Sequence, residues 1–95
     1  MTDRANTQDI AVRRRRLRFR SWHRGTREAD LLLGSFADRY LDGLSADQLE
    51  RYDTLLGHGD PDLYNWMTGH EPVPEHVDSD VVRLLMAHTF SNPTD

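Results

Sequence analysis

The chain has 95 residues, with 12 basic and 16 acidic side chains and a formal net charge of −4. A chain of this length forms one small domain, which excludes a multidomain enzyme with a deeply enclosed catalytic cleft. Because it contains neither cysteine nor lysine, disulfides, thiolate metal sites, cysteine nucleophiles and Schiff-base lysines are excluded as well.

Residues 1–9 are predicted to form a frayed tail. They lack the apolar core of a signal peptide, and their two aspartates are unlike the acid-poor composition of an organelle transit peptide. No apolar run elsewhere approaches the roughly 20 residues that a membrane-spanning helix needs. We therefore expect a cytoplasmic chain with no segment inserted in a membrane.

The next segment, residues 10–23, is predicted to be an arginine-rich first helix that ends near His23. All twelve basic residues of the chain are arginine, and residues 1–28 carry a net charge of +6 against −10 for residues 29–95. Three hypotheses fit this run: nucleic-acid binding, docking of an acidic protein, and pairing with the acidic helices of the same bundle. The acidic remainder would repel a polyanion, which favours the two protein hypotheses.

A tight turn is predicted where the sequence reads Arg24-Gly25-Thr26-Arg27-Glu28. Gly25 permits a positive φ or the close approach of another backbone, and Thr26 can cap the helix that follows. We expect Arg24 and Glu28 to project near one another as a pair of opposite charges. Local physics predicts a corner between two helices here, and charge beside glycine at an exposed bend also indicates a recognition point.

The second and third helices have clear sequence signals. Apolar residues at helical spacing predict a helix over 27–41. Its Phe36 is expected in the core, as is Trp66 further along the chain. Ser45 and Gln48 form a capping box that opens the third helix. Gly57, a residue able to take the left-handed cap conformation, is expected to end that helix.

Two shorter helices complete the chain. Asp60 is the predicted N-cap of the fourth, with Pro61 at the first helical position and Gly69 at its end. The fifth is predicted to begin at Asp78 or Ser79 and to end near residue 88, with 91–95 as a frayed tail. The fold class predicted from these elements is all-α: a compact five-helix bundle forming a single domain over residues 10–90.

No pattern in the sequence predicts a catalytic or metal-binding site. The five histidines lack the spacing of metal ligands on a helix. Two pairs of aspartates, at 60 and 62 and at 78 and 80, stand at helix starts, where capping explains them. A glycine-rich phosphate loop and a serine nucleophile elbow are both absent. We expect neither catalytic residues nor metal ligands.

Two blocks of the sequence resemble the succinate dehydrogenase assembly factor 2 family, called SdhE in bacteria. The first runs from Arg13 to Leu33 and contains that family's Arg-Gly-x-x-Glu centre as Arg24, Gly25 and Glu28. The second, Asp60-Pro61-Asp62-Leu63-Tyr64-Asn65-Trp66, is similar to its Asp-Pro-Asp-Leu-x-x-Trp segment. Together with the elements between and after them, the blocks cover residues 13–88.

This resemblance implies a non-catalytic assembly factor, monomeric when free, that promotes covalent attachment of FAD to the flavoprotein subunit of succinate dehydrogenase. In some bacteria the fumarate reductase subunit is a further partner. The bond forms between a histidine of the partner and the 8α-methyl carbon of the flavin, so FAD is handled in the partner and no cofactor is expected to stay bound to this chain. The alternative is a small arginine-rich nucleic-acid-binding or regulatory module.

The resemblance also assigns the partner-binding residues. Arg24, Gly25 and Glu28 match the family motif and are expected on the partner-facing surface. Their neighbours Arg20, His23, Arg27 and Asp30 are included with them.

Overall fold

The computed structural model describes the backbone of residues 2–91 and the side chains of residues 9–89. Over this range the chain forms five α-helices and no strand, which confirms the predicted all-α fold. The helices are α1 (Thr2–Trp22), α2 (Arg27–Tyr40), α3 (Ala46–Leu56), α4 (Asp60–Met67) and α5 (Asp80–Ser91), with a 3₁₀ turn at Leu41–Gly43.

Helix α1 begins earlier than the sequence predicts. The frayed tail was expected over residues 1–9, whereas the helical backbone begins at Thr2. Once a helix is nucleated, each further residue adds one backbone hydrogen bond, so polar residues extend a helix without any apolar periodicity to indicate it. At the other end α5 reaches Ser91, and residues 92–95 of the expected C-terminal tail lie outside the described residues.

The core is built mainly from α2 and α3. The apolar face predicted for α2 is buried from Ala29 to Ala37, although Tyr40 remains half-buried. Phe36 and Trp66 are both core residues, as predicted. The largest side chains that are almost fully buried are Tyr52, Phe36, Leu33, Leu41, Leu49, Leu63 and Met67.

Close packing fixes the end of α1 against α2 and α3. The hydroxyl of Ser21 donates to the carbonyl of Leu17 at 2.7 Å and lies 2.7 Å from the hydroxyl of Tyr52. Burial of Tyr52 raises its pKa to about 12. At the next residue, the ring of Trp22 occupies the place that a Cβ at Gly34 would take. These contacts determine where α1 stops and the following turn begins.

The ends of α2 and α3 agree with the predicted caps. The capping box is present, because the Gln48 amide N–H donates to Ser45 Oγ and the Gln48 side chain accepts from the Ser45 N–H. Thr26 Oγ1 accepts from the amide N–H of Ala29 at 3.2 Å and so caps α2. Gly57 ends α3, as predicted, and with a φ of −71° it does so in the right-handed conformation.

Three arginines of α1 are engaged inside the bundle. Arg14 donates to the carbonyls of Leu41 and Leu44, which follow the end of α2. The Nε of Arg18 lies 3.2 Å from Oδ1 of Asp38. The Nη1 of Arg20 lies 2.6 Å from Oδ1 of Asp53 on α3. The internal-pairing hypothesis is therefore confirmed for part of the arginine run.

Candidate partner-binding site

The turn between α1 and α2 is held by a single carboxylate. Gly25 has a φ of +117°, which agrees with the expected positive φ. The Oδ1 of Asp30 accepts the backbone N–H of Arg24 at 2.6 Å and that of Gly25 at 3.4 Å. Asp30, predicted only as a neighbour of the motif, therefore fixes the conformation of its first two residues.

The side chain of Arg24 ties this turn to the connection between α3 and α4. Its Nε donates to Oδ1 of Asp60 at 2.8 Å, its Nη1 to the Leu56 carbonyl at 2.7 Å and its Nη2 to the His58 carbonyl at 2.8 Å. A guanidinium suits this place because the carbonyls at the end of α3 carry the negative end of the helix dipole. We call this set of contacts the Arg24 clamp.

The Arg24 clamp overturns two expectations from the sequence. Arg24 forms its ion pair with Asp60 and not with Glu28. Asp60 is also not the N-cap of α4: Gly59 occupies that position, and the Asp60 carboxylate accepts from Arg24. A charge-assisted hydrogen bond to a guanidinium is stronger than one to a neutral backbone amide, which is the physical reason for the difference.

Arg27 and Glu28, at the start of α2, are left available to a partner. Both side chains are exposed. Within the part of the chain that the structure describes, neither has an oppositely charged group within 4.0 Å. Adjacent opposite charges without internal partners can each pair with a complementary charge on another protein.

Two shallow grooves lie on either side of the turn. One has a volume of about 590 Å³ and is lined by Trp22, His23, Gly25, Thr26, Arg27, Asp30 and Leu31. The other has a volume of about 340 Å³ and is lined by Thr26, Glu28, Asp60, Pro61 and Tyr64. Leu31 and Tyr64 are exposed large hydrophobic side chains, one in each groove. We call the turn with its two grooves the motif surface.

The structure places most of the expected site residues at the motif surface, but not all of them in its grooves. The residues that line its grooves are His23, Gly25, Arg27, Glu28 and Asp30. Arg24 lies beneath the surface, with a side chain only 13% exposed. Arg20 pairs with Asp53 and lines neither groove.

Sequence reasoning did not assign six residues of this surface to the site. These are Trp22, Thr26, Leu31, Asp60, Pro61 and Tyr64. The second sequence block carries Pro61 and Tyr64, so its juxtaposition with the first was the available signal. Leu31 could have been found from its position, since it falls beside the buried stripe of α2.

Neither a membrane span nor a metal cluster is found in the described part of the chain. None of the described helices combines the length and the apolar composition needed to cross a bilayer. Among side chains 9–89, no three histidine, aspartate or glutamate groups converge in a way that could hold a metal ion. The chemistry that the motif surface offers is recognition by charge, shape and apolar contact.

Comparison with known proteins gives one consistent family. A family model described as "Flavinator of succinate dehydrogenase" matches residues 15–89. The chain is 38% identical over 78 residues to the FAD assembly factor SdhE of Acetobacter pasteurianus, covering 82% of this chain and 72% of that protein.

Two eukaryotic proteins are similar over a comparable length. Identity is 40% over 83 residues with the mitochondrial succinate dehydrogenase assembly factor 2-B of Drosophila ananassae, and 39% over 85 residues with the mitochondrial assembly factor 2 of Dictyostelium discoideum. These matches cover 85% and 90% of this chain, but it spans only 51% and 60% of the two relatives. Since the family model spans most of the chain and agrees with these relatives, the chain belongs to the succinate dehydrogenase flavinator family.

Proposed function

We propose that this chain binds the flavoprotein subunit of succinate dehydrogenase and promotes covalent attachment of FAD to it. Support comes from the family to which the chain belongs. It also comes from relatives that are named as an FAD assembly factor and as succinate dehydrogenase assembly factors. The structural observation that carries the proposal is the Arg24 clamp. It holds an exposed glycine turn rigidly between two grooves, with Arg27 and Glu28 free to pair beside it.

The proposed role is positioning, without catalysis by this chain. The histidine and the flavin that react would both lie in the partner, so this chain would hold the subunit in a geometry in which they meet. Correct placement of two reacting groups lowers the activation free energy by several kcal/mol. This effect needs no proton transfer by the protein that positions them. No cofactor needs to stay bound to the chain for this role.

The motif surface would provide the contact. An added Cβ at Gly25 would meet nothing within 4 Å, so the space above the turn is open for a partner backbone. Arg27 and Glu28 would pair with charges of the partner, and Leu31 and Tyr64 would supply apolar contact at either side. Arg24 would act from beneath, by keeping the turn in place.

Further properties remain proposals of narrower scope. We propose the flavoprotein subunit of fumarate reductase as a second partner, and a monomeric free chain. The cytoplasmic location stays a prediction, because two of the relatives are named as mitochondrial.

The test is co-expression with the succinate dehydrogenase flavoprotein subunit, read as flavin fluorescence of the subunit in a denaturing gel. Covalent flavin should increase when the chain is present. Gly25→Arg should abolish the increase while circular dichroism remains helical. Gly69→Arg is the matched control, since Gly69 is also exposed, has open space above it and has a positive φ of +81°, but lines neither groove of the motif surface. Equal covalent flavin with and without the chain would contradict the proposal.

A further inference from the structure

The side of α1 that faces away from the core carries a continuous stripe of exposed side chains. Leu17 and Ser21 mark the buried side of the helix. Arg15, Phe19 and His23 follow one another at intervals of four residues on the opposite side, and all three are exposed. Arg16 is exposed beside them. We call these four residues the outer stripe.

Three other arginines of α1 differ from the two in the outer stripe. Arg14, Arg18 and Arg20 all bond to groups of the bundle. Arg15 and Arg16 have no ion pair with any side chain from residue 9 to residue 89. The fold therefore leaves two adjacent positive charges for an external partner, and an acidic group there would relieve their mutual repulsion.

An ordered aromatic pair lies next to these charges. The ring of Phe19 stacks on the ring of His23, with centroids 3.9 Å apart, although Phe19 is 63% exposed. The Nδ1 of His23 lies 2.6 Å from the Phe19 carbonyl, which holds its ring in place. A fixed, exposed aromatic beside arginines has the composition of an interface centre, because little conformational entropy is lost when it is covered.

The outer stripe is continuous with the motif surface. His23 belongs to both, since it also lines the groove beside Gly25. From His23 to Arg15 the stripe runs eight residues along α1, a distance of about 12 Å at 1.5 Å per residue. A protein seated on the motif surface can therefore reach it without a change of fold.

We propose that the outer stripe is a second docking surface for the same flavoprotein subunit and binds an acidic segment of it. Carboxylates of that segment would pair with Arg15 and Arg16, and an apolar side chain would cover Phe19. This inference rests on the proposed function. A nucleic acid fits less well, because residues 29–95 carry a net charge of −10 and would repel a phosphate backbone.

The decisive experiment measures the affinity of four variants, Gly25→Arg among them, for the purified flavoprotein subunit at low and at high ionic strength, and for single-stranded RNA. Arg15→Gln/Arg16→Gln should weaken binding about tenfold at low salt and less at high salt, since long-range attraction between exposed charges is screened. Arg39→Gln/Arg83→Gln is the matched control, with the same change of net charge on other helices, and should bind within about twofold of wild type. Phe19→Ala should weaken binding at both salt concentrations.

Each outcome is decisive when thermal unfolding shows that the variants are folded. Equal affinities of the stripe and control variants would overturn this inference. So would a stripe variant that loses affinity for single-stranded RNA but not for the subunit. If Gly25→Arg abolishes binding while the stripe variant binds like wild type, the outer stripe proposal fails and the proposed function survives. If the wild-type chain does not bind the subunit, both fail.

Discussion

The Nε of Arg24 lies 2.8 Å from Oδ1 of Asp60, and both side chains are largely shielded from solvent, at 13% and 22% exposed. The two residues are 36 positions apart, one in each of the two sequence blocks, so their contact joins the blocks. An arginine so placed does not serve as a freely exposed docking charge. It makes the glycine turn depend on the loop before α4, so a substitution at Asp60 should act at the motif surface.

Asp60→Asn should lower the free energy of unfolding by about 2 kcal/mol, because the partly buried Arg24 would keep only neutral acceptors. Urea denaturation measures the change. Asp53→Asn is the control, since it removes the exposed partner of Arg20 and should cost less than about 1 kcal/mol. Equal losses in the two variants would contradict the structural role of the Arg24 clamp.

Gly25→Ala should be destabilising by about 1–2 kcal/mol, because an L side chain at a φ of +117° is strained even where space is open. Gly43→Ala provides the comparison. With open space and no positive φ at Gly43, alanine should be neutral or slightly stabilising through the unfolded state. The prediction is wrong if chemical denaturation gives the same change for both.

Gly34→Ala should destabilise the chain by about 1 kcal/mol or more, although alanine favours helices over glycine. The new Cβ would overlap the ring of Trp22, and relief requires the ring to leave α2. The indole N–H of Trp22, which donates to Asp38 at 3.3 Å, should then shift in NMR spectra. An unshifted indole resonance together with increased stability would show that the two helices do not pack this closely.

Stability should fall as the pH drops below about 6.5. Burial, followed by the positive charge of Arg39, lowers the pKa of His88 below its usual value of 6.5. The folded state therefore holds His88 neutral while the unfolded chain takes up a proton, so stability is lost progressively as the pH falls from the unfolded pKa toward the lower folded pKa. Urea denaturation between about pH 7.5 and about pH 5.5 measures this slope.

The matched variant for this pH effect is His88→Gln, which removes the titrating ring. In the wild-type chain the Nε2 of His88 lies 2.9 Å from Ser35 Oγ, so the variant will be less stable at every pH. The informative quantity is the slope, which should be shallower than in wild type. The same slope in both proteins would assign the pH dependence to other groups.

Much of the fold could be predicted because its signals are local. The apolar spacing of α2 and the capping box of Ser45 and Gln48 each depend on residues within a few positions of one another, and the structure confirms both. The predicted start of α1 was wrong because the first residues of that helix carry no apolar periodicity, and so no local signal.

The sequence indicated several residues that lie close together around the turn, but it did not predict their contacts. Arg24 was expected to project near Glu28 at the bend, whereas the fold directs it to Asp60. Gly57 could have taken a left-handed conformation and does not. Both outcomes depend on how the loop between α3 and α4 meets the turn after α1, and no local pattern carries that information.

Reconstitution tests the central claim most directly. The purified flavoprotein subunit without covalent flavin is incubated with FAD, with and without this chain, and the flavin that stays with the protein after acid precipitation is quantified. We predict a faster rate with the wild-type chain and no acceleration with Gly25→Arg. A rate that is the same in the presence and absence of the chain would contradict the account.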